Sequence, residues 1–316
     1  MATSITTPPG IPAVEPGRRP GPPGGRGRGA PPRERGLAGG ALNVFSHTFL
    51  IAWGVLVTFP LVWSVLQSFR TDGEIVANPW GIPTSLRWEN FSRAWSVSNI
   101  GDYFLSTVIV VAGGVFLTML LGSMAAYVLA RYDFWGNRVI YYSFIAGLTV
   151  PIFLALIPLF FVVRGFNALN TYHGLILVYV AFSLPFTVFF LHSFFRTLPT
   201  SVAEQAAVDG AGHVRTFFQV MLPMAKPGLL SVGIFNILGQ WNQFLLPQTL
   251  MRQQSGFDAD RSVLAQGLVA LAIQQGYRND LSALFAGMTI ATLPILVVYL
   301  TFQRQVQAGL TGATLK

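Results

Sequence analysis

Residues 201–227 read SVAEQAAVDGAGHVRTFFQVMLPMAKP. The stretch sits between two long apolar runs and gathers acids, bases, glycines and two prolines in a small space. Ser201 and Glu204 fit a capping box, S-x-x-E, which predicts a short helix starting at Ser201. Residues 202–209 are good helix formers, and Gly210 fits the left-handed position that closes a helix. A second helix is expected over about 213–222. There Val214, Phe217, Phe218, Met221 and Leu222 fall at i, i+3, i+4, i+7 and i+8, one apolar face, with Arg215 and Gln219 elsewhere. Pro223 is expected to end this helix, and Pro227 to begin the next apolar run. The stretch therefore reads as a helix–turn–helix elbow. It is either a docking surface for a soluble partner or an amphipathic connector resting on a membrane.

The rest of the chain fixes the setting. Of its 316 residues 52% are hydrophobic and only 10% charged, and mean hydropathy is +0.54. A soluble domain carries about 25% charged residues. The apolar residues come in blocks, and six meet the requirement of about 20 for a bilayer span: 44–69, 103–130, 139–163, 174–195, 227–250 and 281–302. None contains Asp, Glu, Lys or Arg, and His47 and His192 near span ends read as interfacial residues. The charge of +8 and pI of 10.2 follow from loop topology rather than nucleic-acid binding. With the N-terminus inside, the inner segments hold 13 of the 20 Lys and Arg and five of the 12 acids, and the outer segments seven of each. Both termini are thus expected on the cytoplasmic side of the cell membrane, with the elbow.

Residues 1–40 hold nine Pro and ten Gly, with Arg18, Arg19, Arg26, Arg28, Arg33 and Arg35. Disorder is expected there. No cleavage site follows, so the first span reads as an uncleaved anchor, and the basic tail either orients it or meets anionic membrane lipid. The domain organisation is accordingly a 1–40 tail and a 41–316 membrane domain with its core at 103–302 and the elbow at 199–226. Loop 251–280 contains SVLAQGLVALAIQQ, too short to span, which predicts a re-entrant or interfacial helix. Segment 70–101, with NPWGIP, Trp88 and Trp95, suits an ordered loop at headgroup level.

Gly114, Thr118, Gly122, Ala126 and Ala130 fall four apart in the second span, a small-residue stripe that lets another backbone approach. Ala283, Gly287 and Ala291 repeat the idea in the last span. Packing inside one bundle and packing against a similar subunit both fit. Pro60, Pro151, Pro158, Pro185, Pro247 and Pro294 are each expected to kink or break a span. In the fifth span Asn236, Gln240 and Gln243 share a face at i, i+4 and i+7, beside Trp241 and Asn242. Carboxamides and an indole suit a hydroxyl-rich solute, and interhelical hydrogen bonding explains them equally well.

No G-x-x-x-x-G-K-[ST] phosphate loop, no H-E-x-x-H metal motif and no cysteine is present, so no cofactor or metal site is legible. An enzyme needs a nucleophile, acid, base or metal, and an ion-coupled carrier usually shows intramembrane acids. If the chain is part of a pump, its energy comes from another polypeptide. A stand-alone carrier or channel is the alternative.

The elbow resembles the EAA loop of ABC-transporter permease subunits, roughly E-A-A-x-x-x-G-A followed by L-P. Glu204, Ala206, Gly210 and Ala211 match, Leu222-Pro223 closes the pattern, and Gln205 replaces its first alanine. Val208-Asp209 resembles the I/L-D form of carbohydrate permeases. AAYVLARYDFWG (125–136), IPLF (157–160), LNTYHGLIL (169–177), LPF (184–186) and WNQFL (241–245) are similar, in order, to blocks of maltose-type permeases of the inner G kind. The likeness covers about 44–316 and extends to actinomycete permeases for N-acetylglucosamine and chitobiose. It implies an all-α integral membrane protein with six transmembrane helices, the type I ABC importer (MetI-like) permease fold. It also implies a homologous second permease, two cytoplasmic ATPase subunits and an extracytoplasmic solute-binding protein. On that match Glu204 and Gly210 would meet the ATPase, Ala206 and Ala211 would pack the elbow, and Asp209, Phe217, Phe218 and Pro223 would complete this ATPase-coupling loop. Asn236, Gln240, Trp241 and Gln243 are the candidates for the sugar pathway.

Overall fold

The computed structural model describes residues 37–251, 261–278 and 280–312. The disorder expected for the tail falls on 1–36, outside the described residues, while 37–40 already belong to a helix. Every regular element among the described residues is helical. In chain order these are α1 (Leu37–Gln67), α2 (Asp72–Ala77), α3 (Glu89–Ser96), α4 (Ile100–Arg131), α5 (Asn137–Leu148), α6 (Ile152–Gly165), α7 (Tyr172–Thr197), α8 (Thr200–Val208) and α9 (His213–Arg215). A π-helical turn (Thr216–Met221) follows, then α10 (Leu222–Met224), α11 (Lys226–Trp241), α12 (Leu245–Leu250), α13 (Leu264–Arg278) and α14 (Leu281–Gly312).

The chain divides into two compact units, Met1–Thr58 and Phe59–Lys316. In the first, the described side chains from Asn43 to Thr58 are all exposed, with Phe49 stacked on Trp53. The second unit holds the remaining helices.

Among the described residues, four helices are long and apolar enough to cross a membrane: Asn43–Gln67 of α1, α4, α7 and Leu281–Gln305 of α14. The third and fifth expected spans are not single helices. Residues 139–163 form α5 and α6, bent by 108°. Pro151 sits at the break in extended geometry, because it lacks an N–H and steers the residue before it out of helix. Residues 227–250 form α11 and the separate α12, and α11 is bent by 79° from His213–Met224. The Asn242 carboxamide turns back to the Leu238 carbonyl at 2.9 Å where α11 ends, a local bond that competes with helix continuation. With each bent pair as one span, the described residues hold up to six by length and composition. Pro60, Pro158, Pro185 and Pro294 lie within α1, α6, α7 and α14.

The most extensive pairing is α4 against α7. Gly114, Thr118, Gly122 and Ala126 of α4 are all buried within this chain. A side chain on Gly122 would put its first carbon 2.6 Å from Thr187 Cγ2 of α7, and one on Gly114 would strike Gln240 Oε1 of α11. The small-residue stripe thus admits α7 and α11 of the same bundle. At one end, Ala126, Tyr127 and Leu129 pack with Leu191, Phe195, Phe217 and Met221. At the other, Val110 packs with Leu175, Val178, Leu246 and Leu250, and Ile100 and Tyr103 pack with Leu264, Ala283 and Ala286. In α5 and α6 only Val163 is buried. Leu154 and Ile157 stand 75% and 73% exposed, a face fitted to lipid or a neighbouring helix.

Segment 70–101 is ordered, as expected, and folds into α2 and α3. Arg70, 3% exposed, donates to Gln67 Oε1 and to the carbonyls of Asn78 and Glu74. Asn90 donates to the carbonyls of Ser68 and Arg70. Arg93 pairs with Asp280 at 3.2 Å and donates to Ser282, whose N–H donates to Asp72, so α2 and α3 are pinned to the start of α14. The short helix expected within 251–280 is α13, which packs on α4 and α14; residues 252–260 lie outside the described residues.

Two predictions follow from this packing. Gly122→Leu should separate α4 from α7 and lower stability by about 1–3 kcal/mol, read as thermal unfolding in detergent. The Thr71 N–H, the Thr84 hydroxyl and the Thr71 hydroxyl all donate to the Glu74 carboxylate and hold its pKa at about 2, below its usual 4.5. Because the folded value is depressed, this stabilisation is full above pH 4.5 and is lost as pH falls toward 2. Tryptophan emission should report that transition in the wild type and not in Glu74→Gln.

Candidate functional site

The elbow begins where Leu198 and Pro199 extend the chain after α7 (ψ 145° and 132°). Helix α8 starts at Thr200 behind Pro199, with no side chain capping it. The capping box expected from Ser201 and Glu204 does not form. Ser201 lies inside the helix, so its hydroxyl is no longer at the capping position. The helix closes on Gly210, at φ +81°, with bonds from Gly210 N to Ala207 O (3.1 Å) and from Ala211 N to Ala206 O (2.9 Å). The left-handed closure expected of this glycine is therefore present.

The second arm is not one α-helix ended by Pro223. Residues 216–221 make a π-helical turn, Pro223 lies in α10, and the break falls at Ala225. The wider turn divides the expected apolar face. Phe217 and Met221 are buried beside Tyr127 and Phe195, while Val214 is 72% and Phe218 43% exposed. Arg215 and Gln219 bond each other at 2.9 Å.

Helix α8 buries no residue at all. Glu204, Asp209 and Gly210 are exposed, and Ala206 and Ala211 are half-buried against the second arm. Val208, 86% exposed, is with Val214 and Phe218 one of the exposed apolar side chains of the elbow, which also carries Glu204, Asp209 and Arg215. Gln205 is exposed, so this departure from the EAA pattern leaves the packing of the elbow untouched.

The fifth-span residues separate. Asn236, 4% exposed, donates to Thr187 Oγ1 of α7 at 2.9 Å and to the Val232 carbonyl. Gln240, also 4% exposed, donates to Ser183 Oγ at 3.1 Å, and its Oε1 has no partner. The Trp241 ring meets Phe104 edge-on at 5.6 Å, and its N–H donates to the Ala291 carbonyl of α14. Gln243 lies beyond the end of α11, half-buried.

Sequence reasoning missed three features. A cavity of about 370 Å³ opens between α4, α11 and α14, walled by Val111, Phe116, Ile237, Trp241, Pro294 and Val298. Its lining is apolar throughout, so a hydroxyl-rich solute finds no hydrogen bond there. The π-helical turn has no sequence signature. The third feature joins α4 to the elbow: Arg131 donates to the Leu198 carbonyl at 2.7 Å, and the Tyr132 hydroxyl meets His213 Nδ1 at 2.9 Å.

Residues 118–312, more than half of the chain, match the family described as binding-protein-dependent transport system inner membrane component. The chain belongs to that family. The permease is 52% identical over 271 residues to the diacetylchitobiose uptake system permease protein NgcG of Streptomyces coelicolor, covering 86% of this chain and 88% of that protein. It is 31% identical to the trehalose transport system permease protein SugB of Mycobacterium tuberculosis, over 84% and 97% of the two chains. A chain in the crystal structure of a bacterial ABC transporter involved in the import of the acidic polysaccharide alginate superposes with a TM-score of 0.70. That match covers 85% of the permease and 98% of the other chain at 17% identity, and it shows a shared fold. The type I importer (MetI-like) fold expected from the sequence is the fold of this permease.

The two faces of the elbow should respond differently to truncation. Phe217→Ala should cost about 3–5 kcal/mol in thermal unfolding of the purified permease, because its ring leaves a buried cluster. Val214→Ser should stay within about 0.5 kcal/mol.

Proposed function

We propose that this permease is one half of the translocation pathway of an ATP-driven, binding-protein-dependent sugar importer in the cell membrane, with both termini cytoplasmic. A homologous second permease completes the pathway. Two cytoplasmic ATPase subunits drive it, and an extracytoplasmic solute-binding protein delivers the sugar. The observation that carries the reading is the elbow: a helix with no fully buried residue, closed by a left-handed glycine, with Val208, Val214 and Phe218 exposed in a segment that also carries charges. Exposed apolar side chains interspersed with charges are suited to docking a protein. ATP-driven movement of the ATPases then displaces the elbow and, through it, the spans.

The proposed substrate is diacetylchitobiose or a related amino sugar, supported by the name of the 52% identical relative. Gln240 and Gln243 are proposed to line the pathway. One keeps an unpartnered oxygen and the other lies past the helix end. Asn236 and Trp241 are proposed to hold the wall behind them through α7 and α14.

The test is uptake of radiolabelled diacetylchitobiose, N-acetylglucosamine, maltose and trehalose by a strain lacking this permease and by the complemented strain. Restored uptake of the amino sugars is expected. Uptake by the purified chain in proteoliposomes without an ATPase would replace the reading with a stand-alone carrier. Gly210→Pro cannot keep φ at +81° and should reduce ATPase co-purification by about tenfold or more while the protein stays in the membrane. Normal co-purification would remove the elbow from the docking site. Gln240→Ala and Gln243→Ala should each lower uptake with the complex intact, and unchanged uptake in both would leave these residues a packing role alone.

A further inference from the structure

Both arms of the elbow return to one place, the C-terminal end of α4. The first arm does so where Arg131 donates to the Leu198 carbonyl at 2.7 Å, just before α8. The second does so where the Tyr132 hydroxyl meets His213 Nδ1 at 2.9 Å, with the rings edge-on at 5.4 Å. Tyr132 is fixed from behind. The Asn137 carboxamide donates to its carbonyl at 2.6 Å and to that of Leu129 at 3.1 Å, and the Tyr127 ring meets it edge-on at 5.8 Å. His213 opens the second arm, three residues after the left-handed glycine, and is exposed. A polar pair at a solvent edge is not required for burial. It spans the gap between a held residue at the end of α4 and the part of the elbow nearest its exposed tip.

We propose that Tyr132 and His213 form a strut, so that the second arm of the elbow and the end of α4 move as one body during transport. They are positioning residues, and the proposal rests on the docking reading above. The Phe217 contacts hold the root of the arm, and the strut holds its beginning. Without the strut the tip of the elbow shifts with the ATPase while α4 lags, and ATP is hydrolysed without matching transport.

The test uses the whole complex in proteoliposomes, with its binding protein and the sugar from the panel above that the wild type takes up best. The quantity read is sugar moved per ATP hydrolysed. Tyr132→Phe and His213→Ala should each lower this ratio about fivefold, the worth of one hydrogen bond, with the ATPase still bound. The double variant should be no worse than either single one. The chain contains no cysteine, so a Tyr132→Cys, His213→Cys pair can be bridged selectively. The ratio should be low in the reduced pair and recover when a short bifunctional thiol reagent joins the two positions. An unchanged ratio, additive losses in the double variant, or no recovery on bridging would each overturn the strut. Failure of the docking reading shows separately, as a wild-type permease that purifies without an ATPase.

Discussion

The backbones of α4 and α7 come together because one position per turn of α4 carries almost no side chain. Lipid tails are as apolar as leucine, so helices in a bilayer gain little by hiding apolar surface from one another. Close packing and interhelical hydrogen bonds must hold them. Gly122 gives Thr187 its place, and Gly114 gives the Gln240 carboxamide its place. Thr187 and Ser183 of α7 then accept from Asn236 and Gln240, which draws α11 into the same seam. Tyr127, one position past Ala126, carries the seam to the root of the elbow through Phe195 and Phe217. A side chain on Gly122 would push against α7, and one on Gly114 against α11 and α7.

The elbow joins a fixed root to a free tip. Phe217, Met221 and Ala225 are buried where the second arm meets α4 and α7, while α8 buries nothing. The π-helical turn allows this division. An ordinary α-helix would keep Val214, Phe217, Phe218 and Met221 on one face and lay that face on the bundle or on the membrane. The wider turn leaves Val214 and Phe218 exposed, as Val208 is in the first arm.

What the sequence disclosed follows from what each signal encodes. Hydropathy located the spans of α1, α4, α7 and α14, because a bilayer imposes a minimum length on each, but not the breaks in the third and fifth segments. The four-residue spacing of Gly114, Thr118, Gly122 and Ala126 located the close approach, though not which helix would use it. Gly210 located the left-handed turn, since few other residues take that conformation. The capping box failed because Pro199 moves the helix start by one residue, and a cap is sensitive to one residue. Pro151 gave warning that the third segment would break, but the 108° bend there, and the 79° bend at Ala225 just before the fifth segment, are not set by any one residue. The π-helical turn and the contact between Tyr132 and His213, 81 positions apart, had no local trace.

The break between α5 and α6 also bears on how the protein is made. The two pieces have 12 and 14 residues, each short of the roughly 20 that a span needs, so neither can settle across a bilayer alone. Only together do they reach the length of one span. The seam of that unit is closed by α7, because bare Gly147 lies against Pro185, where an added carbon would sit 2.9 Å from the proline ring. Pro185 is synthesised well after Gly147. The break itself is set locally by Pro151, whereas the seat of α5 on α7 needs Pro185 from a helix later in the chain.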